Sequence, residues 1–235
     1  MKLDILDAYN IRARLSPSII LLGPIGLTLF LCFEDVYNFA SSAIIVCILL
    51  AMTNYVPVLQ RRLNQSNKDP RINYAAVYLH LNDDTIDEFS KRRYYHKLAE
   101  LDESFSMFTT PNNTPEFRKC CESAILYLRN NTRDNHLVLE ENINCGFCKN
   151  MLADKTMGII INIALAVSIG IYSYVKFENI ADIPLGNIIS ILFNILFLIF
   201  WIFGINKSMM KHAAKRYAIT LIATIDTLKP DKDKK

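Results

Sequence analysis

Two short polar stretches contain the side chains best suited to chemistry. They are KRRYYHK at 91–97 and NNTRDNHLVLEEN at 130–142. An imidazole base beside guanidinium groups that bind an anion would make a hydrolytic or phosphate-binding site. Dense charge on helices is also typical of solvated faces and ion pairs between helices, and we favour that interpretation. The candidates for catalysis are His96, Arg93, Arg133, Asp134 and Glu141, and those for binding a partner or a small anionic ligand are Arg92, Arg93, His96, Arg133, Asp134, Glu141 and Asn142.

A Cys-Gly-Phe-Cys stretch, Cys145 to Cys148, raises the alternatives of a zinc site and a redox motif. Zinc is held by a tetrahedron of ligands in regularly spaced pairs, and the adjacent Cys120 and Cys121 make an unsuitable second pair. A redox motif would follow a strand, whereas an acidic, asparagine-rich stretch precedes Cys145. The common nucleotide-binding and hydrolase motifs do not occur in the sequence. We therefore interpret these cysteines as small apolar fillers and predict no metal and no cofactor.

Four apolar runs dominate the elements that must position these residues. The runs cover 18–33, 40–56, 157–175 and 187–205 and contain no charged side chain. Each approaches the roughly 17 to 25 residues that cross a bilayer as a helix. A buried hairpin in a soluble bundle is the alternative, and a signal peptide fits poorly because no small-residue cleavage site precedes the second run. The sequence predicts an all-α polytopic membrane protein with two transmembrane hairpins.

Basic residues set the orientation of these spans. They flank the run ends that face the two termini and the middle of the chain, whereas the connection EDVYNF has none and KFENIADIPLG has only Lys176. The positive-inside rule then places both termini and the middle in the cytoplasm. We expect a multi-pass membrane protein with the lipid bilayer as a partner. A net charge of +3 is too small to indicate nucleic acid.

The chain is predicted to have four parts: 1–56 with the first hairpin, a cytoplasmic helical segment at 57–156, the second hairpin at 157–205, and an amphipathic helix with a disordered tail at 206–235. Within the cytoplasmic segment, helices are predicted at 71–81, from a capping box that begins at Thr85, and at 115–131 after Thr114. Helical spacing predicts that Cys120 and Cys121 do not both face the core. The stretch 136–156 is predicted to be helical in its second half.

The segment NKSMMKHAAKRYAITLIATIDTL separates apolar from cationic residues. Such a helix either lies on a membrane surface or docks on the middle segment. We favour docking, because several of its aliphatic side chains are too bulky to remain in water. These are Ile219, Leu221, Ile222 and Ile225.

Three amides are the notable polar groups in the apolar runs. Asn54, Asn162 and Asn194 are predicted to join helices or to line a polar path, because an amide in hydrocarbon needs a partner. Gly158 and Gly170 would permit close helix contact. The runs contain no Asp, Glu, Lys, Arg or His in their middle, so proton-coupled or voltage-driven transport has little support.

Three stretches resemble a family of bacterial four-span membrane proteins. They are LDAYNIRARLSP, RRYYHKL and YLRNNTRDNHLVLEENINCGFCKNMLADKTMG. The family has an RYH stretch, a TRD and an EN-x2-YGFRRN-like segment, and the resemblance covers most of 3–158. Cys145 and Cys148 stand where the family has Tyr and Arg, which argues against an essential ligand pair. The matching residues are Arg93, His96, Thr132, Arg133, Asp134, Glu141, Asn142, Gly146, Phe147 and Asn150, and their density implies a polar cluster beneath the membrane.

The predicted architecture supports a general prediction of function. We expect a homo-oligomer whose cytoplasmic segment receives a signal or a cytosolic partner and whose spans then form a pore or perturb the membrane, in bacterial stress or phage defence. A membrane-anchored hydrolase that uses His96, Arg133 and Glu141 is one alternative. A scaffold or sensor that recruits a cytosolic partner is another. Enzymatic activity is the less favoured class.

Overall fold

The computed structural model describes residues 8–32, 56 and 70–228. These residues form helices and turns with no strand among them, so the predicted all-α class is confirmed. The second apolar run apart from Val56, its Asn54, and the end of the chain after 228 lie outside the described residues. The helices are α1 (Ser16–Cys32), α2 (Pro70–Leu79), α3 (Glu88–Leu101), α4 (Pro115–Asn131), α5 (His136–Lys176), α6 (Leu185–Ile199) and α7 (Lys207–Ala223).

The chain divides into two compact units. The span unit contains the described residues of 1–66 and 146–210, and the polar unit contains those of 67–145 and 211–235. Of the three boundaries between them, one lies between residues 66 and 67, one falls inside α5 and one falls inside α7.

Three helical stretches are long and apolar enough to cross a membrane. They are Asn10–Cys32, His136–Lys176 and Leu185–Gly204, and they match three of the four predicted runs to within one residue at the end of each run. A π-helical segment precedes α1, and another follows α6. This composition makes the chain a membrane protein.

The helix α5 begins earlier than predicted. It runs without a break from His136 into the third apolar run, so the expectation that only the second half of 136–156 is helical is wrong. The cause lies just before it: the side-chain oxygen of Asn135 accepts hydrogen bonds from the N–H groups of Leu137 and Val138, at 3.0 and 3.3 Å. Asparagine is among the best helix N-caps, because it satisfies donors that have no partner inside the helix.

The spans direct apolar side chains outward. On α6, Leu192 is 56% exposed and Leu196 is 63% exposed, whereas the buried residues of that helix are Asn187, Ser190 and Asn194. A soluble helix has the opposite pattern, with its apolar stripe inside. Lipid is the solvent that matches such a surface, because hydrocarbon side chains cost nothing there.

Aromatic rings form the core of the polar unit. Phe105, Phe108 and Phe117 are at most 2% exposed. The ring of Tyr95 lies 5.3 Å from that of Phe108 and meets Phe117 edge-on at 5.9 Å. The Tyr95 hydroxyl also donates to the backbone oxygen of Leu79 at 2.5 Å, which attaches α2 to α3.

Two predicted helix starts have different outcomes. Thr114 caps α4 as predicted, and its hydroxyl accepts from the N–H of Phe117 at 3.3 Å. The predicted start at Thr85 is wrong, because α3 begins later and Asp87 is its cap. The N–H of Thr85 donates instead to the carboxylate of Asp83 at 2.9 Å, so a turn occupies these residues.

Both Cys120 and Cys121 are buried, contrary to the expectation that one would face outward. Adjacent residues of a helix share an environment when its buried face is broad. The buried positions of α4 form such a face: they are Phe117, Cys120, Cys121, Ala124, Ile125 and Leu128.

The end of the chain packs within the polar unit, as predicted. Tyr217, Leu221, Ile222 and Ile225 are at most 2% exposed, and Arg216 donates to Glu141 at 2.5 Å. Ile219 is the exception, with 45% of its surface exposed. It lies two residues from both Tyr217 and Leu221, so helical spacing turns it to the opposite face.

Candidate functional site

The buried face of α6 is polar. Asn187, Ser190 and Asn194 are at most 1% exposed, and their spacing puts them on one face of the helix. Trp201 continues this face and is fully buried. At 1.5 Å per residue the face extends about 20 Å, roughly two-thirds of the apolar core of a bilayer. We call the following residues the polar stripe: Thr28, Asn162, Ser173, Asn187, Ser190 and Asn194.

Hydroxyl groups of α1 and α5 pair with this face. The Oγ1 of Thr28 accepts a hydrogen bond from the Oγ of Ser190 at 3.0 Å and another from the Nδ2 of Asn194 at 2.9 Å. The Nδ2 of Asn187 donates to the Oγ of Ser173 at 2.9 Å. Interhelical bonds of this kind stabilise helix packing in lipid by about 0.6 to 2 kcal/mol each.

Asn162 and Gly158 continue the stripe along α5. Asn162 is fully buried and donates to the backbone oxygen of Gly158 at 2.7 Å. Gly158 lies directly against the indole of Trp201, so a methyl group at position 158 would overlap the ring. The close contact predicted at Gly158 is therefore present. No described atom lies within 4 Å of the position that a Cβ would take at Gly170.

Three amide oxygens of the stripe have no hydrogen-bond donor. They are the Oδ1 atoms of Asn162, Asn187 and Asn194, and the indole Nε1 of Trp201 is also buried without a partner. An unsatisfied buried polar group costs about 1–3 kcal/mol. Such groups usually bind an ordered water or an ion. The stripe can therefore accept hydrogen bonds from water or coordinate a cation.

Lys155 caps the π-helical segment that follows α6. Its ammonium donates to the backbone oxygens of Ile202 and Ile205, at 2.8 and 2.7 Å. The last carbonyl groups of a helix have no partner within it and carry partial negative charge. A lysine that the positive-inside rule counts as a loop charge thus also has a structural role.

Two residues of the family resemblance, Gly146 and Asn150, hold α5 against the N-terminal segment. The Nδ2 of Asn150 donates to the backbone oxygen of Ala13 at 2.6 Å. A Cβ at Gly146 would lie 2.8 Å from the hydroxyl of Tyr9, which leaves no room for a side chain. Gly146 and Asn150, two residues of the predicted polar cluster, thus make packing contacts with the N-terminal segment.

The predicted catalytic residues have local or structural partners. His96 lies 3.4 Å from Glu100, and both side chains are more than half exposed. Arg133 donates to Asn130 at 3.1 Å. Within the described part of the chain, no hydrogen bond or ion pair joins two of the five candidates. Three of the remaining predicted residues form ion pairs: Arg92 with Glu88 at 2.5 Å, Arg93 with Asp226, and Glu141 with Arg216. Asp134 is exposed and Asn142 is half-buried.

The cysteines are buried thiols. Cys145 is 1% exposed and Cys148 is 6% exposed. The described residues contain no group of three or more His, Cys, Asp or Glu side chains that could hold a metal ion. Burial raises the pKa of Cys121 to about 12 and raises that of Cys120. These two thiols therefore stay protonated, and unreactive, at neutral pH.

The polar unit has a groove of about 480 Å³ between α2 and the start of α4. Its lining combines Ala76 and Val77 with His80, Asp83 and Arg118. The ammonium of Lys91 donates to the backbone oxygens of His80, at 2.7 Å, and Asp83, which fixes the turn that carries both residues. A lining with hydrocarbon on one side and an arginine on the other suits a small polar ligand.

Sequence reasoning found Asn162 and Asn194 but missed Thr28, Ser190 and Asn187. The missed signal was the recurrence of polar residues at one helical spacing inside an apolar run. Sequence reasoning also missed His80 and Arg118, because helical periodicity does not distinguish them from other surface residues. No family model, curated protein or solved structure matches this chain.

Proposed function

We propose that this chain is an oligomeric integral membrane protein that permeabilises the membrane when its polar unit receives a signal. The signal is a small anionic ligand or a cytosolic protein. In this proposal the protein has four spans in the bacterial inner membrane, with both termini in the cytoplasm. Its cellular role is in stress or phage defence.

The observation that supports this function is the polar inner face of the spans. A membrane anchor needs only hydrocarbon, whereas α6 buries Asn187, Ser190 and Asn194. Polar groups inside a membrane are costly and are typical of paths for ions or substrates. The amide oxygens of Asn187 and Asn194 have no hydrogen-bond donor, which raises the free energy of this packing arrangement and favours a conformational change.

The polar unit supplies the features expected of a receiver. It has a groove with Arg118 and His80 in its lining, and it holds the end of the chain after α7 through Asp226. Only Ile205 and Asn206 separate α7 from the π-helical end of α6. A rearrangement of the polar unit would therefore act on α6 through a short, direct connection.

Expression in bacterial cells tests this function. The full chain is induced with and without phage infection, while a potentiometric dye reports membrane potential and a membrane-impermeant DNA dye reports entry. We expect the wild-type protein to depolarise the membrane. The threshold for depolarisation should change in Asp226→Ala and stay the same in Arg92→Ala. If potential and dye entry stay unchanged in infected and uninfected cells, the proposed function is wrong.

The hydrolase alternative has weaker support. His96 lies beside Glu100, and Arg133 beside Asn130, on exposed helix surfaces. A general base needs its reacting partners within hydrogen-bond reach. Alanine at His96 would leave the membrane response intact under the proposed function and would abolish it under the alternative.

A further inference from the structure

The outward faces of the described spans are mostly hydrocarbon. Ile188, Leu192 and Ile195 on α6 are 41%, 56% and 42% exposed, and Ile160 and Ile171 on α5 are more than half exposed. A pore formed between copies by such faces would be walled by hydrocarbon, which excludes ions by dewetting. The polar groups lie instead inside the protomer, along the stripe.

The stripe offers oxygen atoms to a ligand. The unpaired atoms of Asn162, Asn187 and Asn194 are amide oxygens, and amide oxygens coordinate hard cations and repel anions.

No cationic side chain opposes this preference among the described residues of the stripe. The ammonium of the nearby Lys155 is engaged by two backbone oxygens of the segment that follows α6. The partial negative charge of the unpaired amide oxygens favours cations over anions.

Trp201 blocks the stripe at the level of Gly158. Its indole is fully buried and fills the space that a side chain at position 158 would need. Along α5, Gly158 lies one turn before Asn162, whose Nδ2 donates to its backbone oxygen, so the ring lies at this end of the stripe. A large apolar ring at a narrow point is a barrier to a hydrated ion.

We propose that the polar stripe is a path for monovalent cations through each protomer, and that the indole of Trp201 against Gly158 is its plug. The proposal rests on the permeabilising function above and specifies what is conducted and where. On opening, the ring leaves Gly158, and the oxygens of Asn162, Asn194 and Asn187 replace part of the hydration shell of the ion in turn.

Flux into liposomes tests the path and its plug. The full chain is reconstituted, and influx of thallium(I) and of iodide is followed with entrapped dyes. Trp201→Ala should speed thallium influx about tenfold, equivalent to about 1.4 kcal/mol in the barrier, and leave iodide influx unchanged. Phe203→Ala is the matched control, because Phe203 is an aromatic residue of the same segment that is 73% exposed. It should behave as the wild type.

A second substitution tests the amide oxygens. Adding Asn194→Leu to Trp201→Ala should return thallium influx to the wild-type rate, whereas adding Leu192→Val on the outward face should leave it high. Melting temperatures in detergent identify any variant that has not folded.

Trp201 is the single tryptophan of the chain, which gives a test on the unmodified protein. Thallium(I) and iodide both quench indole fluorescence on contact. Because the ring is fully buried, a quencher must reach it along the proposed path, so thallium should quench Trp201 more strongly than iodide, and Asn194→Leu should remove the difference.

The outcomes separate this proposal from the function on which it rests. Equal influx of thallium and iodide that Asn194→Leu does not reduce would overturn the cation path and leave permeabilisation standing. Absence of any influx in folded wild-type and variant proteins would overturn both. If Trp201→Ala does not fold, quenching decides: thallium no stronger than iodide would overturn the proposal.

Discussion

Arg93 holds Asp226 through two hydrogen bonds, from Nε to Oδ1 at 3.0 Å and from Nη2 to Oδ2 at 2.8 Å. Lys97, one helical turn further along α3, donates to the same Oδ1 at 2.9 Å and to the backbone oxygen of Asp226 at 3.0 Å. Two cations of a charge-dense helix therefore bind the turn that follows α7. A bidentate arginine with a second cation fixes position as well as charge.

Removal of this carboxylate should loosen the end of the chain. Asp226→Ala deletes all three side-chain bonds, and because Arg93 is about half exposed we expect a loss of only about 0.5–1 kcal/mol. Hydrogen exchange of the amides at 217–228 should accelerate roughly two- to fivefold. Arg92→Ala is the control, since Arg92 pairs with Glu88 on its own helix and should not alter this exchange.

The same ion pair should make the docking sensitive to acid. Partial burial raises the pKa of the Asp226 carboxyl, but the hydrogen bonds and charges of Arg93 and Lys97 outweigh it and hold the pKa below its usual value of 3.8. The contribution of this ion pair to the free energy of unfolding is therefore complete above pH 3.8. It is lost as the pH falls through the lower pKa of the folded protein. The difference in melting temperature between wild type and Asp226→Asn should persist at neutral pH and vanish in strong acid. A difference that persists in strong acid would contradict this assignment.

Lys155 should stabilise the end of the fourth predicted span. Lys155→Met keeps the length of the side chain but leaves the carbonyl groups of Ile202 and Ile205 without their donor. We expect a loss of about 1–3 kcal/mol, seen as a lower melting temperature in detergent. Lys149→Met on the same helix removes a charge without breaking a described bond and should be nearly neutral. Equal effects of the two would show that charge alone matters.

The cysteines should behave as packing residues. The high pKa and burial of Cys121 predict that a maleimide does not label it in the folded protein at neutral pH. A strong zinc chelator should leave the melting temperature unchanged. Rapid labelling of Cys121, or destabilisation by the chelator, would contradict this interpretation.

The helix boundaries show what the sequence can and cannot specify. The fourth run was predicted at 187–205, and the helical stretch is Leu185–Gly204, because hydrocarbon length is set by the bilayer. The start of α3 was missed because Thr85 and Asp87 are both acceptable caps. The choice depends on the turn in which Asp83 accepts from Thr85, and neither pattern nor propensity fixes that turn.

The functional residues also divide into those that the sequence alone could predict and those that it could not. Asn162 and Asn194 were predictable, since an amide in an apolar run is conspicuous. The partnership of Asn194 with Thr28 was not, because it joins residues 166 positions apart through helix packing. The role of Trp201 depends on the absence of a side chain at Gly158, which only the packed helices reveal.

The inward direction of the polar face of α6 can be measured by spin labelling in lipid. In a cysteine-free background, a nitroxide is placed at Leu192, on the outward face, and at Asn194, on the buried face. The account predicts that the label at 192 is relaxed strongly by oxygen, which concentrates in lipid, and weakly by a water-soluble nickel chelate. It also predicts that the label at 194 is immobilised and shielded from oxygen. A label at 192 that the nickel chelate reaches, or a mobile label at 194 open to lipid, would contradict it.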